Sequence, residues 1–253
     1  MNKTLLAIAT MIGTIIGAGV FAVPYVFAQS GIITCLIYFL IVGALAVFLH
    51  LFFGEAIGRT SEESRLIGLT DRYLGKRAKV IVGIAFFIGI VGSLLVYVIL
   101  SGEFLGLIFP NLFSNFQWSL IAWFLLSFMV FCGTRSIAKA ELLLSSILLL
   151  SATAAVAFCV PKISLSNFSL FNYTKIFLPF GIVLFSLVGW SAVSEARYVL
   201  DDKKKLKKVL LISLLVCIIF YIIFGLAISG VTGKLTTPEP FQALANALGY
   251  KII

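Results

Sequence analysis

Residues 13–27 read GTIIGAGVFAVPYVF, and this stretch decides how the chain folds. Gly13, Gly17 and Gly19 cluster in the middle of an apolar run, and Pro24 follows five residues later. Glycine loosens a helix by about 1 kcal/mol relative to alanine, while proline removes a backbone donor and crowds the preceding turn. The spacing from Gly13 to Gly17 also suits close contact between two helices in lipid. The stretch therefore predicts either a small-residue packing face or a helix that unwinds around Gly17–Gly19.

The unwound alternative predicts a site for a carboxylate. Pro24 disfavours helical geometry at the residue before it, Val23. The second half-helix would begin near Ala18 and expose the amides of Ala18, Gly19 and Val20, which carry a partial positive charge. Such helix N-termini bind anions.

The rest of the sequence has the composition of a membrane protein. Of its 253 residues, 61% are hydrophobic and 11% charged, with a mean hydropathy of +1.16, whereas about a quarter of a soluble domain is charged. A membrane-spanning helix needs about 20 apolar residues. Seven apolar runs meet or approach that length, at residues 4–28, 32–57, 80–109, 118–133, 140–160, 176–200 and 209–231. Because backbone groups in lipid must bond within their own segment, we expect an all-α multi-pass membrane protein.

The net charge of +9 does not indicate a nucleic-acid partner, because all the basic residues except Arg197 lie outside the apolar runs. Fourteen of the 19 Lys and Arg residues lie in alternate connections, which predicts a cell-membrane protein with a cytoplasmic N-terminus and an extracellular C-terminus of this chain. Residues 59–79 suit either a short amphipathic helix on the inner surface or a solvated loop. The four cysteines lie in apolar runs without metal-site spacing, which favours inert thiols. Residues 236–253 resemble a helical connection to a further span.

The sixth run supplies a counterpart to the first. It contains LPFGIVLFSLVGWSAVSEARYVL at residues 178–200, with Gly189 at mid-span between Ser186 and Trp190. GVFAVP from Gly19 and GWSAVS from Gly189 share Gly, Ala and Val at the same offsets. The two runs cross in opposite directions, as paired interrupted helices do in inverted-repeat transporters. We therefore predict that the sixth span is also discontinuous.

These two stretches carry a family resemblance. IGAGVFAVPYVFAQSG, at residues 16–31, resembles the first-helix signature of amino acid permeases of the amino acid–polyamine–organocation superfamily. The closest branch is that of the aromatic (tyrosine/tryptophan) permeases and the amino acid/auxin permeases, whose sixth helix and following loop the sixth run resembles. The resemblance implies a LeuT-type inverted-repeat fold in one transmembrane domain, 1–253, with a first five-helix repeat at 4–160 and the start of a second at 176–253. Family members usually have about eleven helices, whereas this sequence has seven apolar runs. We therefore expect either that the chain is an incomplete gene product or that only part of the family's transport mechanism applies to it.

The resemblance also implies roles for residues at the two breaks. It places the substrate carboxylate on the amides around Gly17, Ala18 and Gly19. The substrate ammonium would meet four backbone carbonyls, those of Thr14, Ile15, Ser186 and Leu187. Phe21 and Trp190 would form walls for the substrate side chain, or else pack between helices.

Several polar side chains inside the spans could have either a transport role or only a structural one. Glu195 is either a proton carrier or inner-gate residue, or an interface carboxylate paired with Arg197 or Lys204. Glu103 lines the outer vestibule or lies at the interface, and Tyr97 donates a hydrogen bond to substrate or only packs. For His50 and Glu55 we expect solvation at the inner interface.

The predicted function is secondary active transport of amino acids by alternating access, with aromatic and neutral amino acids as the candidate substrates. H⁺ or Na⁺ is the expected coupling ion, and no other cofactor or metal is expected. The alternative is a transport-incompetent binding or sensor module, or a fragment that needs a partner. An enzyme is disfavoured because no H-E-x-x-H or G-x-S-x-G motif occurs. The expected partners are the amino acid and the lipid bilayer, and the oligomeric state is left open.

Overall fold

The computed structural model describes residues 3–60, 65–131 and 134–248, and within these ranges the chain forms helices and no β-strand. The ten helices of these ranges are α1 (Lys3–Ile15), α2 (Gly19–Ser30), α3 (Ile32–Arg59), α4 (Leu66–Ile108), α5 (Asn115–Phe131), α6 (Thr134–Cys159), α7 (Leu178–Ser186), α8 (Trp190–Val199), α9 (Leu206–Thr232) and α10 (Pro240–Ala247). The helix predicted in the C-terminal tail is present as α10.

Most of the predicted membrane spans are present among the described residues. Five helical segments are long and apolar enough to cross a membrane: Ile32–Arg59, Leu66–Ile108, Leu144–Lys162, Leu178–Val199 and Leu206–Leu235. Counted as one span, the pair α1 and α2 is a sixth candidate, bent by 60° at the break between them. The run predicted at 118–133 forms an apolar helix, Asn115–Val130, that is shorter than a span. The helices agree with a multi-pass membrane protein, while the seventh span and the LeuT-type arrangement stay predictions.

A glycine divides the longest helix. At 43 residues, α4 would be roughly 65 Å long if straight, about twice the ~30 Å thickness of the hydrocarbon core. Gly75 interrupts it with φ 81° and ψ 176°, a conformation that glycine adopts without steric cost. Residues 66–74 therefore form a short helix before the span, so the helical alternative for 59–79 is correct over this part. Residues 61–64 lie outside the described ranges.

The described residues form two compact units. The first comes from Met1–Arg65 and Ser145–Tyr250, and the second from Leu66–Leu144. In the second unit, α4 and α5 pack closely. Their separation leaves no room for a side chain at Gly102, where an added Cβ would lie 2.0 Å from Ser119 Oγ. The predicted division into repeats at 4–160 and 176–253 concerns internal symmetry and stays a prediction.

The core of the first unit is built around α9. This helix packs against α1, α2 and α3, and its Tyr221 and Phe224 side chains are fully buried. Aromatic rings fill the space between helices: Phe39 lies 6.0 Å from Phe27 and 6.4 Å from Tyr221, measured between ring centroids. Around this core α1 packs against α8 and α2 packs against α7. The two broken spans are thereby brought together.

The connection at residues 160–177 is tied to the ends of several helices. The Asn167 side chain donates to the carbonyls of Gly230, at 2.9 Å, and Val231, at 3.0 Å, at the end of α9. The Asn172 side chain donates to the Gln29 carbonyl at 2.8 Å, at the end of α2. These bonds fix the entry to α7.

The described cysteines agree with the prediction of inert thiols. Cys35, Cys159 and Cys217 are buried and form no disulfide. Cys132 lies outside the described residues.

Candidate functional site at the two helix breaks

The first span is discontinuous where the glycine cluster predicted it. Helix α1 ends at Ile15 and α2 begins at Gly19, so residues 16–18 form the break. Its amides are only partly bonded: Gly17 N donates to the Ile15 carbonyl at 3.0 Å, and Val20 N donates to the Gly17 carbonyl at 3.1 Å. Within the described part of the chain, the amides of Ala18 and Gly19 have no hydrogen-bond acceptor. Of the amides predicted to bind a carboxylate, those of Gly17 and Val20 are bonded to carbonyls, and only those of Ala18 and Gly19, at the start of α2, are free.

Pro24 does not contribute to the break as predicted. It lies inside α2, and Val23 before it is helical. The expectation of non-helical geometry at Val23 is therefore wrong. Because α2 begins at Gly19, the acceptor that Pro24 cannot reach is the Val20 carbonyl in the first turn, so the helix loses one bond and continues.

The sixth span is also discontinuous, as predicted. Helix α7 ends at Ser186 and α8 begins at Trp190, with Gly189 in an extended conformation before it. The Ala192 amide donates to the Gly189 carbonyl at 3.0 Å. No donor to the Leu187 carbonyl is present among residues that the structure describes, and the same holds for the Thr14 carbonyl in the first span. The Ser186 carbonyl likewise has no donor among the described residues, so three of the four predicted ammonium acceptors are free.

The two breaks touch each other through their glycines. A Cβ on Gly19 would lie 2.6 Å from Ser186 Oγ and 2.8 Å from Ser186 Cα, and a Cβ on Gly189 would lie 2.3 Å from Ile15 Cγ1. The Ser186 hydroxyl donates to the Gly19 carbonyl at 3.3 Å and to the Ile182 carbonyl at 2.7 Å. Each glycine at the start of a second half-helix thus contacts the last residue of the other span's first half. This reciprocal contact brings Gly19, Ser186, Gly189 and Ile15 together.

The Ile15 carbonyl has a partner that sequence reasoning missed. The fully buried Tyr221 of α9 donates its hydroxyl to this carbonyl at 2.8 Å, in addition to the bond from the Gly17 amide. Both acceptor positions of the oxygen are then occupied, so binding of a substrate ammonium to Ile15 requires Tyr221 to move away. A single tyrosine within the aliphatic run at 209–231 was the only signal of this bond in the sequence.

Phe21 and Trp190, the predicted substrate walls, are half-buried and contact other rings. The Phe21 ring lies edge-on to Phe241 of α10 with centroids 6.1 Å apart, and the Trp190 ring lies edge-on to Phe53 of α3 at the same separation. The packing alternative therefore has a partner for each ring, and the substrate role stays a prediction.

The predicted gating residues Glu195 and Glu103 and the predicted substrate-binding residue Tyr97 belong to different helices, α8 and α4. Glu195 is exposed on α8, and neither it nor Arg197 forms an ion pair with another described side chain. Tyr97 and Glu103 belong to α4 in the second unit. Their roles stay predictions.

His50 contradicts its prediction. Only 3% of its surface is exposed, so it is buried in the protein and not solvated at the interface. Glu55, by contrast, is exposed and pairs with Arg59. The reason is the rotation of α3: His50 shares the buried face of Phe39, Ala46 and Gly54, whereas Glu55 lies off it.

Comparisons with known proteins all point to amino acid transporters. The family model described as the tryptophan/tyrosine permease family matches residues 1–247. The chain is 27% identical over 248 residues to tyrosine-specific transport system 1 of Haemophilus influenzae, covering 96% of this chain and 61% of that protein. It is 24% identical over 248 residues to glutamine transporter 2 of Aliivibrio fischeri, covering 94% of this chain and 63% of that protein. The chain therefore spans a little over three fifths of the length of these relatives.

Proposed function

The chain belongs to the tryptophan/tyrosine permease family, and on this premise we propose that it binds an amino acid at the two helix breaks and moves it across the membrane. The family and both relatives are transporters and not enzymes. Tyrosine is the first candidate substrate and glutamine the second, after the names of the relatives. The contact between the two breaks is the observation that carries the proposal.

The breaks offer complementary partners for a zwitterion. The free amides of Ala18 and Gly19 begin α2, where the helix dipole favours a carboxylate. The free carbonyls of Thr14 and Leu187 lie at the ends of α1 and α7, where the dipole favours an ammonium. An amino acid presents both charges a few ångströms apart, so it satisfies both sets at once.

Alternating access, H⁺ or Na⁺ coupling and a LeuT-type inverted repeat are part of the same proposal. The reciprocal contacts, Gly19 with Ser186 and Gly189 with Ile15, support a pseudo-two-fold relation between the broken spans. The cytoplasmic N-terminus rests on the distribution of basic residues alone.

Substrate analogues test the site without changing the protein. We expect unlabelled tyrosine to displace radiolabelled tyrosine from the purified chain, and tyramine and 3-(4-hydroxyphenyl)propionate to be at least 100-fold weaker, because each lacks one charge. Equal competition by tyramine would show that the carboxylate is not recognised. Glutamine in the same assay ranks the second candidate substrate.

Uptake into proteoliposomes separates transport from binding. We expect accumulation of tyrosine that increases when a pH or sodium gradient is imposed across the membrane. Binding without uptake would favour the alternative, a binding module or a fragment that needs a partner.

A further inference from the structure

His50 of α3 is a buried histidine whose protonation state can be read from its contacts. Its Nδ1 atom lies 2.7 Å from the Ala46 carbonyl oxygen. A carbonyl oxygen only accepts hydrogen bonds, so Nδ1 carries the proton and Nε2 is a bare lone pair in the neutral ring. Nε2 is buried and has no partner among the described residues. The ring therefore offers one unused proton-binding position in the interior.

His50 lies on α3 at the level of the break between α7 and α8. Gly43 and Gly54 lie on the same face of α3, on either side of His50. A Cβ on Gly43 would contact Leu187 Cδ1 at 4.0 Å, and a Cβ on Gly54 would contact Val193 Cγ1 at 3.7 Å. His50 consequently lies level with the segment 187–193, which contains the break.

The neighbouring residue Phe53 agrees with this placement, because its ring contacts Trp190. On the α9 side the same two glycines face Ile218 and Leu210, so the face of α3 that carries His50 packs against α7, α8 and α9.

Few other titratable groups reach this region. Helix α7 contributes none. Helix α8 contributes Arg197, one turn beyond Val193 and roughly 12 Å from the level of His50 at 1.5 Å per residue. The remaining groups on the packed elements and on α3 itself are Glu195, Tyr198, Lys207 and Lys208, Glu55 with Arg59, the buried Cys35, Cys217 and Tyr221, and the half-buried Tyr25 and Tyr38. None of these is a carboxylate buried beside the imidazole.

We propose that His50 Nε2 is the proton-binding site that couples amino acid binding at the two breaks to H⁺. This inference rests on the proposed function. A proton from water adds to the Nε2 lone pair and gives an imidazolium, and the same proton leaves when the amino acid is released, so no other bond changes. The carboxylate of a bound amino acid stabilises the added positive charge. Proton and amino acid therefore favour each other's binding.

The first test observes the imidazole directly. The chain contains one histidine, so ¹⁵N-histidine labelling of the whole chain, purified with a histidine-free affinity tag into nanodiscs, gives one pair of ring signals. We expect the proton on Nδ1 at high pH, and protonation of Nε2 as the pH falls through the range of about 8 to 5 in which imidazoles titrate. A proton on Nε2 at high pH, or no titration over this range, would overturn the proposal.

The second test measures the linkage. For the wild-type chain we expect the apparent Kd for radiolabelled tyrosine to rise about tenfold per pH unit above the midpoint of the imidazole titration. We also expect about one proton to be taken up per tyrosine bound in weakly buffered solution. His50→Asn keeps a donor for the Ala46 carbonyl but has no basic nitrogen, so its Kd should be independent of pH and close to the weak, high-pH value of the wild type.

Glu55→Gln is the matched control, because it removes an exposed titratable group from the same helix and should keep the wild-type slope. A His50→Asn variant with the wild-type slope, or a wild-type chain that binds tyrosine without proton uptake, would refute the coupling role. The proton-uptake measurement needs no variant and decides the matter even if His50→Asn does not fold. Absence of tyrosine and glutamine binding at every pH would instead refute the proposed function, while the ring titration would still report whether His50 takes up a proton.

Discussion

The bond between Tyr221 and Ile15 gives the sharpest prediction for the site. Tyr221→Phe removes a hydroxyl that donates to the Ile15 carbonyl at 2.8 Å and leaves the ring in its packed position. If the substrate ammonium has to replace this hydroxyl, the variant binds tyrosine more tightly, because the competing donor is gone. The carbonyl keeps its bond from the Gly17 amide, so folding survives the change.

The expected change in tyrosine affinity follows from the free energy that one such hydrogen bond contributes. Hydrogen bonds between helices in membranes contribute about 0.6 kcal/mol on average and about 1.7 kcal/mol at most. The tyrosine Kd should therefore fall by roughly threefold to 18-fold, and the variant should melt a few degrees lower. Scintillation proximity binding and intrinsic-fluorescence melting of the purified chain measure the two quantities.

Tyr38→Phe is the control for this experiment. Its half-buried ring contacts Phe180, and its hydroxyl has no hydrogen-bond partner among the described residues, so both quantities should stay at the wild-type values. A Tyr221→Phe variant with unchanged affinity and a lowered melting temperature would show that the bond is structural only. A tenfold loss of affinity would show instead that the hydroxyl contacts the substrate.

Other residues give simpler tests. Gly189→Ala places a methyl group against Ile15 and should destabilise the fold by about 1–3 kcal/mol, as overpacking does, whereas Gly181→Ala, with open space around it, should be neutral or slightly stabilising in the same thermal melts. Asn167→Ala leaves the Val231 carbonyl without its donor, while the Gly230 carbonyl keeps its bond from the Ser164 amide, and it should cost about 1–3 kcal/mol, seen as faster cleavage of the 160–177 connection by protease. Cys35 and Cys217 are fully buried, so N-ethylmaleimide should modify them only after denaturation, as peptide mass spectrometry would show.

The positions of the helix breaks were predictable from sequence because they depend on local backbone preference. Gly17 and Gly19 weaken the helix where they stand, and Gly189 does the same in the sixth span. The break at Gly75 belongs to the same class, but the charged residues around it suggested a boundary between a loop and a span. The expectation of non-helical geometry just before Pro24 was wrong because α2 begins only at Gly19, so the proline falls near the start of the helix, where it interrupts one hydrogen bond and the helix continues.

The partners across the core were not predictable in this way. Tyr221 and Ile15 are separated by 206 positions in the chain, and their bond exists because α9 packs against α1. His50 was assigned to the interface from its distance to the end of its run, yet its burial is decided by which face of α3 meets α8 and α9. A sequence pattern gives the depth of a residue in the membrane more readily than its direction around the helix.

The polar groups left open at the breaks are the strongest physical reason to place the substrate there. An unsatisfied backbone group inside a membrane costs several kcal/mol, and the described part of the chain supplies no partner for the Ala18 and Gly19 amides or for the Thr14 and Leu187 carbonyls. The glycine contacts and the bond from the Ser186 hydroxyl to the Gly19 carbonyl hold the two breaks together without satisfying any of these groups. Such an arrangement is stable only if water or a ligand completes the hydrogen bonds, and an amino acid carries both the carboxylate that the amides need and the ammonium that the carbonyls need.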